Sequence, residues 1–178
     1  MRVISGRARG SSLYALDGMN TRPTADRVKE AMFSIIAPYV PGSRVLDLFA
    51  GSGALGIEAL SRGAAGCVFV ESSVSALSVV KKNLEKTKLS ECAEVSKSDY
   101  KAFLNSASGG FDIILLDPPY NRQMCDAALG IIFEKNLLAD GGVIVCETEY
   151  GEQISTAFNV RKEYKYGKTK LTLLDRDG

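Results

Sequence analysis

The 178-residue sequence contains no histidine, and its four cysteines are widely spaced without a C-x-x-C pair. Without an imidazole, catalysis by a Ser-His or Cys-His pair is excluded, and zinc and haem lack their usual ligands. We therefore expect a protein without a metal site, whose reduced cysteines fill core positions. Any proton transfer must use carboxylates, other side chains or water.

Long hydrophobic runs are also missing. No segment approaches the ~18 apolar residues of a membrane span, and the first thirty residues lack the apolar run of a targeting signal. With 46% hydrophobic and 24% charged residues, the chain has the balance of a soluble globular protein, for which we expect a cytoplasmic location and a monomeric state. Residues 1–30 and 161–178 each carry a net charge of +3, and the part between them carries −5. This distribution suits a polyanion held near the termini.

The alternation of apolar runs with helical patterns predicts an α/β fold. Short apolar runs occupy residues 45–49, 67–70, 93–95, 113–116 and 143–146, and helical patterns occupy residues 54–62, 73–87, 100–106 and 122–135. This spacing is typical of a doubly wound, mostly parallel sheet. After a short helix near 151–157, two further strands at 159–164 and 168–174 would form an antiparallel hairpin and complete seven strands.

The first forty residues form a different unit. Residues 2–5 and 11–16 could pair as a β-ribbon across a glycine-bounded turn. Thr24 is in a position to cap a helix that carries apolar residues at helical spacing and ends before Pro38. We therefore predict a small N-terminal extension over 1–40, packed on a main domain over 41–178.

A glycine-rich loop follows the first strand of the main domain. Gly51, Gly53 and Gly56 form a G-x-G-x-x-G pattern, and Glu71, at the end of the next strand, is placed to accept the hydroxyls of a ribose. The loop alone fits a nicotinamide dinucleotide or S-adenosylmethionine. Asp47 favours the second, because a carboxylate repels phosphate but suits the ammonium group of a methionine moiety. An NAD(P)-binding oxidoreductase and a non-catalytic nucleotide-binding module are the alternatives.

The third strand is followed by Asp99, whose carboxylate could accept a hydrogen bond from an adenine amino group or cap the next helix. Both readings are open. We expect the remaining cofactor contacts from residues beside these motifs, namely Phe49, Ala50, Ser52, Ser72 and Tyr100.

The fourth strand runs into Asp117-Pro118-Pro119-Tyr120. The two prolines make the turn rigid and leave its carbonyl groups free. Asp117 and the Pro118 carbonyl can each accept a hydrogen bond from an exocyclic amino group, so that its lone pair points at the methyl of a sulfonium. Tyr120 offers a stacking face for an extruded base. These four residues are the predicted catalytic group.

These motifs resemble those of class I amino-methyltransferases of nucleic-acid bases. Arg2-Val3-Ile4-Ser5-Gly6, Thr21-Arg22-Pro23-Thr24 and the run from Asp26 to Phe33 are similar to the RsmD family, bacterial methyltransferases of the guanine N2 amino group in 16S ribosomal RNA. The resemblance extends from Arg2 to about Cys146.

The resemblance implies a Rossmann-like fold, S-adenosylmethionine as cofactor and ribosomal RNA as partner, which we expect within a small-subunit particle because the total charge is low. It also implies that Arg22 and Thr24 lie near the cofactor and substrate. Arg7 and Arg9, on the glycine-bounded turn, are candidates for contacts with RNA phosphates. The alternatives that keep the chemistry are a DNA adenine-N6 and a protein glutamine amide methyltransferase. A DNA enzyme usually needs its own sequence-reading domain, and a glutamine enzyme typically has Asn where this chain has Asp117.

Overall fold

The computed structural model describes residues 1–16, 23–119 and 122–176. Its centre is a seven-stranded sheet in the order β3-β2-β1-β4-β5-β7-β6. The first five strands are parallel, and β7 is antiparallel to both β5 and β6. The strands are β1 Arg44–Asp47, β2 Gly66–Glu71, β3 Ala93–Lys97, β4 Phe111–Leu116, β5 Leu138–Glu149, β6 Asn159–Tyr166 and β7 Thr169–Asp175. The predicted sheet with its C-terminal hairpin is confirmed.

Four helices, α2 to α5, connect the parallel strands, as the alternating pattern predicts, and α1 precedes β1. They are α1 Pro23–Ile35, α2 Ala54–Ser61, α3 Val74–Thr87, α4 Tyr100–Ser106 and α5 Arg122–Glu134, with short 3-10 turns at Ala37–Tyr39 and Ser90–Cys92. No helix in the described ranges has the length and apolar character needed to cross a membrane.

Each face of the sheet carries its own hydrophobic core. Along β4, Ile113 and Leu115 point to one face and Ile114 and Leu116 to the other. The first face is covered by α1, α2 and α3, and the second by α4 and α5. Strand order reverses between β1 and β4, so the crevice for a ligand is expected at the carboxyl ends of these two strands.

The N-terminal extension is attached to α2 by a buried carboxylate. Glu58, fully buried, accepts hydrogen bonds from the backbone N–H groups of Ile4 and Ser5 at 2.8 and 3.0 Å. It also forms ion pairs with Lys29 at 3.3 Å and Arg62 at 2.8 Å. Glu58 of α2 therefore binds both the N-terminal segment and α1.

Two predictions for the extension need correction. The β-ribbon is shorter than predicted: it has one antiparallel bridge, Arg2 with Ser12, flanked by backbone hydrogen bonds between residues 1–3 and 10–13, because the N–H groups of Ile4 and Ser5 donate to Glu58. Helix α1 begins at Pro23, so Thr24 is its second residue and not its cap. Proline is favoured there since the first N–H groups of a helix have no partner within it.

The helix predicted near 151–157 was wrong. Between β5 and β6 the chain is irregular, and Gly151 has a φ of +103°. Lys170 donates to the carbonyl of Glu152 at 2.6 Å, and the Ser155 N–H donates to Asp126 at 3.0 Å. Tertiary hydrogen bonds therefore hold this connection in an irregular course.

Candidate active site

Two glycines turn the backbone between β1 and α2 through left-handed conformations, with φ of +54° at Gly51 and +82° at Gly53. The Gly53 N–H closes the turn on the Ala50 carbonyl at 2.6 Å. A Cβ added at Gly51 would meet no atom closer than Leu16 Cδ1 at 4.0 Å. Backbone conformation, and not crowding, therefore requires glycine here, and the outer side of the loop is open to a ligand.

Gly56 has a different reason to be glycine. A Cβ added there would overlap the Phe69 ring and lie 2.7 Å from the Cys67 sulfur. Both residues belong to β2, so the third glycine allows α2 to pack closely against the neighbouring strand.

Asp47 ends β1 directly beneath the loop and is only 1% exposed. Its Oδ2 accepts a hydrogen bond from the Gly56 N–H at 3.0 Å. Burial raises the pKa of Asp47 to about 7; the hydrogen bond opposes this, and the negative charges of Asp117 and Glu71 add to it. A cation bound at this point would stabilise the ionised form.

Glu71 links the end of β2 to the glycine loop. Its Oε2 accepts from the Gly51 N–H at 3.0 Å, and its Oε1 accepts from the Ser73 N–H at 2.9 Å. Each carboxylate oxygen keeps a second lone pair for an incoming hydroxyl. Ser72, between these residues, is exposed at the same edge of the sheet.

Asp99 caps α4: its Oδ1 accepts from the N–H groups of Lys101 at 2.9 Å and Ala102 at 3.3 Å. The capping role is thus observed, and a contact between Asp99 and adenine stays a prediction. Next to it, the Tyr100 ring lies 5.2 Å from the Phe49 ring, centroid to centroid, with the planes tilted by 47°. Both rings are half-buried and form an aromatic wall beside the loop.

Asp117 follows β4 at the same edge of the sheet. The residue is exposed, but surrounding protein atoms desolvate its carboxyl and raise its pKa to about 6. Pro118 is buried and Pro119 is exposed, which agrees with a stiff turn lying on the sheet edge. Tyr120, the predicted stacking residue, lies outside the described residues.

Glu147 near the end of β5 is a site residue that the sequence reading missed. Leu116 pairs with Cys146 across β4 and β5, and the charge of Asp117, directly after β4, acts on Glu147 of β5, so the two carboxyl groups are neighbours. Burial and then the charge of Asp117 raise the pKa of the half-buried Glu147 to about 8. The available signal was a carboxylate directly after the apolar run 143–146, at the same sheet edge.

Asn83 of α3 was missed as well. This fully buried side chain accepts from the Tyr14 N–H at 2.8 Å, donates to the Tyr14 carbonyl at 3.0 Å, and donates to the Ser52 carbonyl at 2.9 Å. It therefore fastens the N-terminal extension to the glycine loop.

Helix α1 contacts α2 through two pairs of side chains. Lys29 of α1 forms an ion pair with Glu58 of α2, and the guanidinium of Arg62, directly after α2, lies 5.1 Å from the centre of the Phe33 ring. The Thr24 side chain and Arg22 lie outside what the structure describes, so their positions near the cofactor and substrate stay predictions.

The two predicted phosphate contacts lie farther away. The Arg7 side chain donates to the Cys92 sulfur at 3.4 Å, just before β3 begins, so it lies at the amino edge of the sheet. Arg9 is exposed and lines a groove of about 690 Å³ between the N-terminal segment and α1. Other charged residues lining this groove are Arg2, Asp26, Arg27, Glu30 and Arg62.

Within the described ranges, no group of three or more His, Cys, Asp or Glu side chains is arranged to hold a metal ion.

Comparison with known proteins gives full-length similarities. The family model described as "Conserved hypothetical protein 95" matches residues 1–175. "Putative rRNA methyltransferase YlbH" of Bacillus subtilis (strain 168) is 45% identical over 185 residues, covering 100% of both chains. "Ribosomal RNA small subunit methyltransferase D" of Haemophilus influenzae is 40% identical over 162 residues, covering 89% of this chain and 84% of the relative. The solved structure "Putative methyltransferase yhhF from Escherichia coli" has a TM-score of 0.88 at 34% identity, covering 100% of this chain and 98% of that chain.

Proposed function

The chain belongs to the RsmD family of S-adenosylmethionine-dependent rRNA methyltransferases, and we propose that it methylates the exocyclic N2 amino group of a guanine in 16S ribosomal RNA. Its strand order is that of the class I methyltransferase fold. The observation that carries the proposal is the position of Asp117, on a stiff turn beside the glycine loop, with a carboxyl that surrounding protein desolvates.

The residues at the sheet edge fit S-adenosylmethionine. The loop is open at Gly51, and the buried Asp47 carboxylate lies among other negative charges that an ammonium group would balance. Glu71 retains acceptor capacity for the ribose hydroxyls, and Phe49 with Tyr100 offers apolar surface to the adenine. The remaining contacts assigned to the cofactor are from the loop and its neighbours: Thr24, Ala50, Ser52, Gly53, Gly56, Ser72 and Asp99.

The chemistry proposed for Asp117 and Pro118 is orientation of a weak nucleophile. Bound S-adenosylmethionine supplies an electrophilic methyl group on a positively charged sulfur. The Asp117 carboxylate and the Pro118 carbonyl each accept one N–H of the amino group, which directs the nitrogen lone pair at that methyl. When the N–C bond has formed and the S–C bonding pair has returned to sulfur, Asp117 or water takes the surplus proton from nitrogen. The raised pKa of Asp117 makes its carboxylate a better proton acceptor than an ordinary aspartate.

RNA binding is assigned to residues around this edge and the extension. We assign stacking on the extruded base to Tyr120 and a contact with the substrate RNA to Arg22, both outside the described residues. Arg9, which lines the groove, is assigned a contact with RNA phosphates. Arg7 can contact only RNA that extends to the amino edge of the sheet. A folded RNA within a small-subunit particle is large enough to contact both edges.

The test compares Asp117→Ala with Asp140→Ala, a matched change at an exposed carboxylate on β5. Small-subunit particles from cells that lack the enzyme serve as substrate. After the reaction the RNA is digested to nucleosides, which are identified by mass spectrometry. We expect N2-methylguanosine from the wild type and from Asp140→Ala, and a loss of roughly 10³-fold or more for Asp117→Ala, with unchanged S-adenosylmethionine binding in calorimetry. Equal loss of binding and turnover would show that Asp117 is structural. Methylated adenine or glutamine as the product, or binding of NAD alone, would overturn the proposal.

A further inference from the structure

Asp117 and Glu147 lie side by side on the sheet face that α1, α2 and α3 cover. Leu115 and Val145, two residues before each of them, pair across β4 and β5 and belong to that face's core. Because side chains alternate along a strand, Glu147 points to this face, and Asp117, the first residue after β4, is expected to continue the alternation beside it, since neighbouring strands lie ~4.8 Å apart. The charge of Asp117 acts on Glu147 and also on Asp47, the corresponding carboxylate of β1.

The Glu147 side chain has no hydrogen-bond or ion-pair partner among the described residues. On its other side, β7 presents Leu171, which is fully buried. The half-buried Glu147 carboxyl lies beside the predicted catalytic residue and keeps hydrogen-bonding capacity that no described residue uses, so it is available to a group of the substrate.

We propose that the Glu147 carboxyl selects guanine, by binding the N1–H and O6 of the base whose N2 amino group is held by Asp117. This inference rests on the proposed function. The Watson–Crick edge of guanine presents the N2 amino group, N1–H and O6 in that order, and an extruded base is read along this edge. Asp117 takes the first group, and the neighbouring side chain on β5 is placed to take the next two.

The protonated form of Glu147 matches these two groups. Its carbonyl oxygen accepts from N1–H and its hydroxyl donates to O6, whereas an ionised carboxylate would place negative charge against O6. The groups that face it are the carboxylates of Asp117 and, farther along the edge, Asp47, and two adjacent carboxyl groups disfavour ionisation of both. The raised pKa of Glu147 agrees with a retained proton. In adenine and cytosine the ring nitrogen beside the amino group carries no hydrogen, so the same pair of contacts is not available.

Glu147→Gln is an informative variant because an amide also presents one acceptor and one donor in the same geometry. On particles from cells that lack the enzyme, we expect Glu147→Gln to keep kcat/KM within about threefold of the wild type. Glu147→Ala should lose about 10²-fold in kcat/KM while calorimetry shows unchanged S-adenosylmethionine binding. A large loss in Glu147→Gln would show that the ionised carboxylate is needed and would overturn the inference.

A base analogue separates this inference from the proposed function. 2-Aminopurine keeps the amino group at C2 but lacks N1–H and O6. The methylated guanine is first mapped in 16S RNA. 2-Aminopurine is then placed at that position by ligating RNA fragments, and the ligated RNA is reconstituted into small-subunit particles. The kcat/KM of the wild type should be roughly 10²-fold higher on guanine than on 2-aminopurine, whereas the kcat/KM of Glu147→Ala should be the same on both bases. Equal discrimination by the wild type and Glu147→Ala would overturn the role of Glu147, whereas absence of N2-methylation on any guanine would overturn the proposed function itself.

Discussion

Asn83 binds both backbone polar groups of Tyr14, its carboxamide oxygen accepting from the N–H and its nitrogen donating to the carbonyl. The same nitrogen donates to the carbonyl of Ser52 in the glycine loop. One buried side chain thus orients the loop and holds the segment that leads to Leu16, whose Cδ1 is the atom nearest to a Cβ built on Gly51. The N-terminal extension therefore lies beside the glycine loop, at the edge of the proposed cofactor site.

Replacing Asn83 should weaken cofactor binding. Asn83→Ala leaves the Ser52 carbonyl and the Tyr14 backbone without these partners, and we expect a loss of about 2 kcal/mol in the free energy of unfolding. Because the loop is less well held, the S-adenosylmethionine dissociation constant should rise about tenfold. Calorimetry measures the affinity, and hydrogen exchange of residues 13–16 reports release of the segment. Asn105→Ala, on the exposed side of α4, is the matched control. An unchanged affinity in Asn83→Ala would show that the contact does not position the loop.

The third glycine of the loop motif gives a prediction about stability. Gly56→Ala would push a methyl group into the Phe69 ring and the Cys67 sulfur, so it should lower the free energy of unfolding by about 1–3 kcal/mol or more. Gly130→Ala in α5 is the control, since an added Cβ there meets no atom within 4 Å and should stabilise by roughly 0.5–1 kcal/mol. Urea denaturation measures the free energy of unfolding of both variants. A stable Gly56→Ala would mean that α2 can move away from β2 at little cost.

The sheet was predictable because its strands are short apolar runs separated by helical patterns, and this local periodicity is visible in a single sequence. The loop glycines, Glu71 and Asp117 could be predicted as site residues for the same reason: each lies at or just after the end of a predicted strand. The failed helix at 151–157 shows the limit. Contacts from Lys170 and Asp126, distant in the sequence, hold that segment in an irregular course, and no local pattern contains them.

Glu147 and Asn83 were missed for a related reason. The importance of Glu147 depends on the register between β4 and β5, which places it opposite Asp117. The importance of Asn83 depends on how α3 packs against residues 14 and 52. Register and packing are set by the whole core, whereas an isolated Glu or Asn in the sequence is most simply read as a surface residue.

The Asp47 carboxylate should lower the free energy of unfolding but strengthen cofactor binding. Its folded-state pKa is about 7, above the ordinary 3.8, so the folded protein holds a proton that the unfolded chain releases. The free energy of unfolding from this group is therefore greatest below about pH 4, falls as pH rises, and has been lost above about pH 7. Asp47→Asn keeps an oxygen that can accept from the Gly56 N–H and removes the buried charge. We expect it to raise the free energy of unfolding by about 1–3 kcal/mol at pH 8 and to change it little at pH 4.

The same variant should bind S-adenosylmethionine poorly, because an amide does not balance the charge of the ammonium group. Urea denaturation at pH 4 and pH 8, with calorimetry at pH 8, measures both effects on one protein. Asp112→Asn is a poor control since its Oδ2 accepts from the Arg44 N–H, whereas Asp140→Asn, at an exposed position of β5, tests the loss of a surface charge. If Asp47→Asn were destabilised equally at both pH values, the cost of burying the Asp47 charge would not be what lowers the free energy of unfolding above pH 7. If it were stabilised at pH 8 yet bound the cofactor normally, Asp47 would not be the partner of the ammonium group.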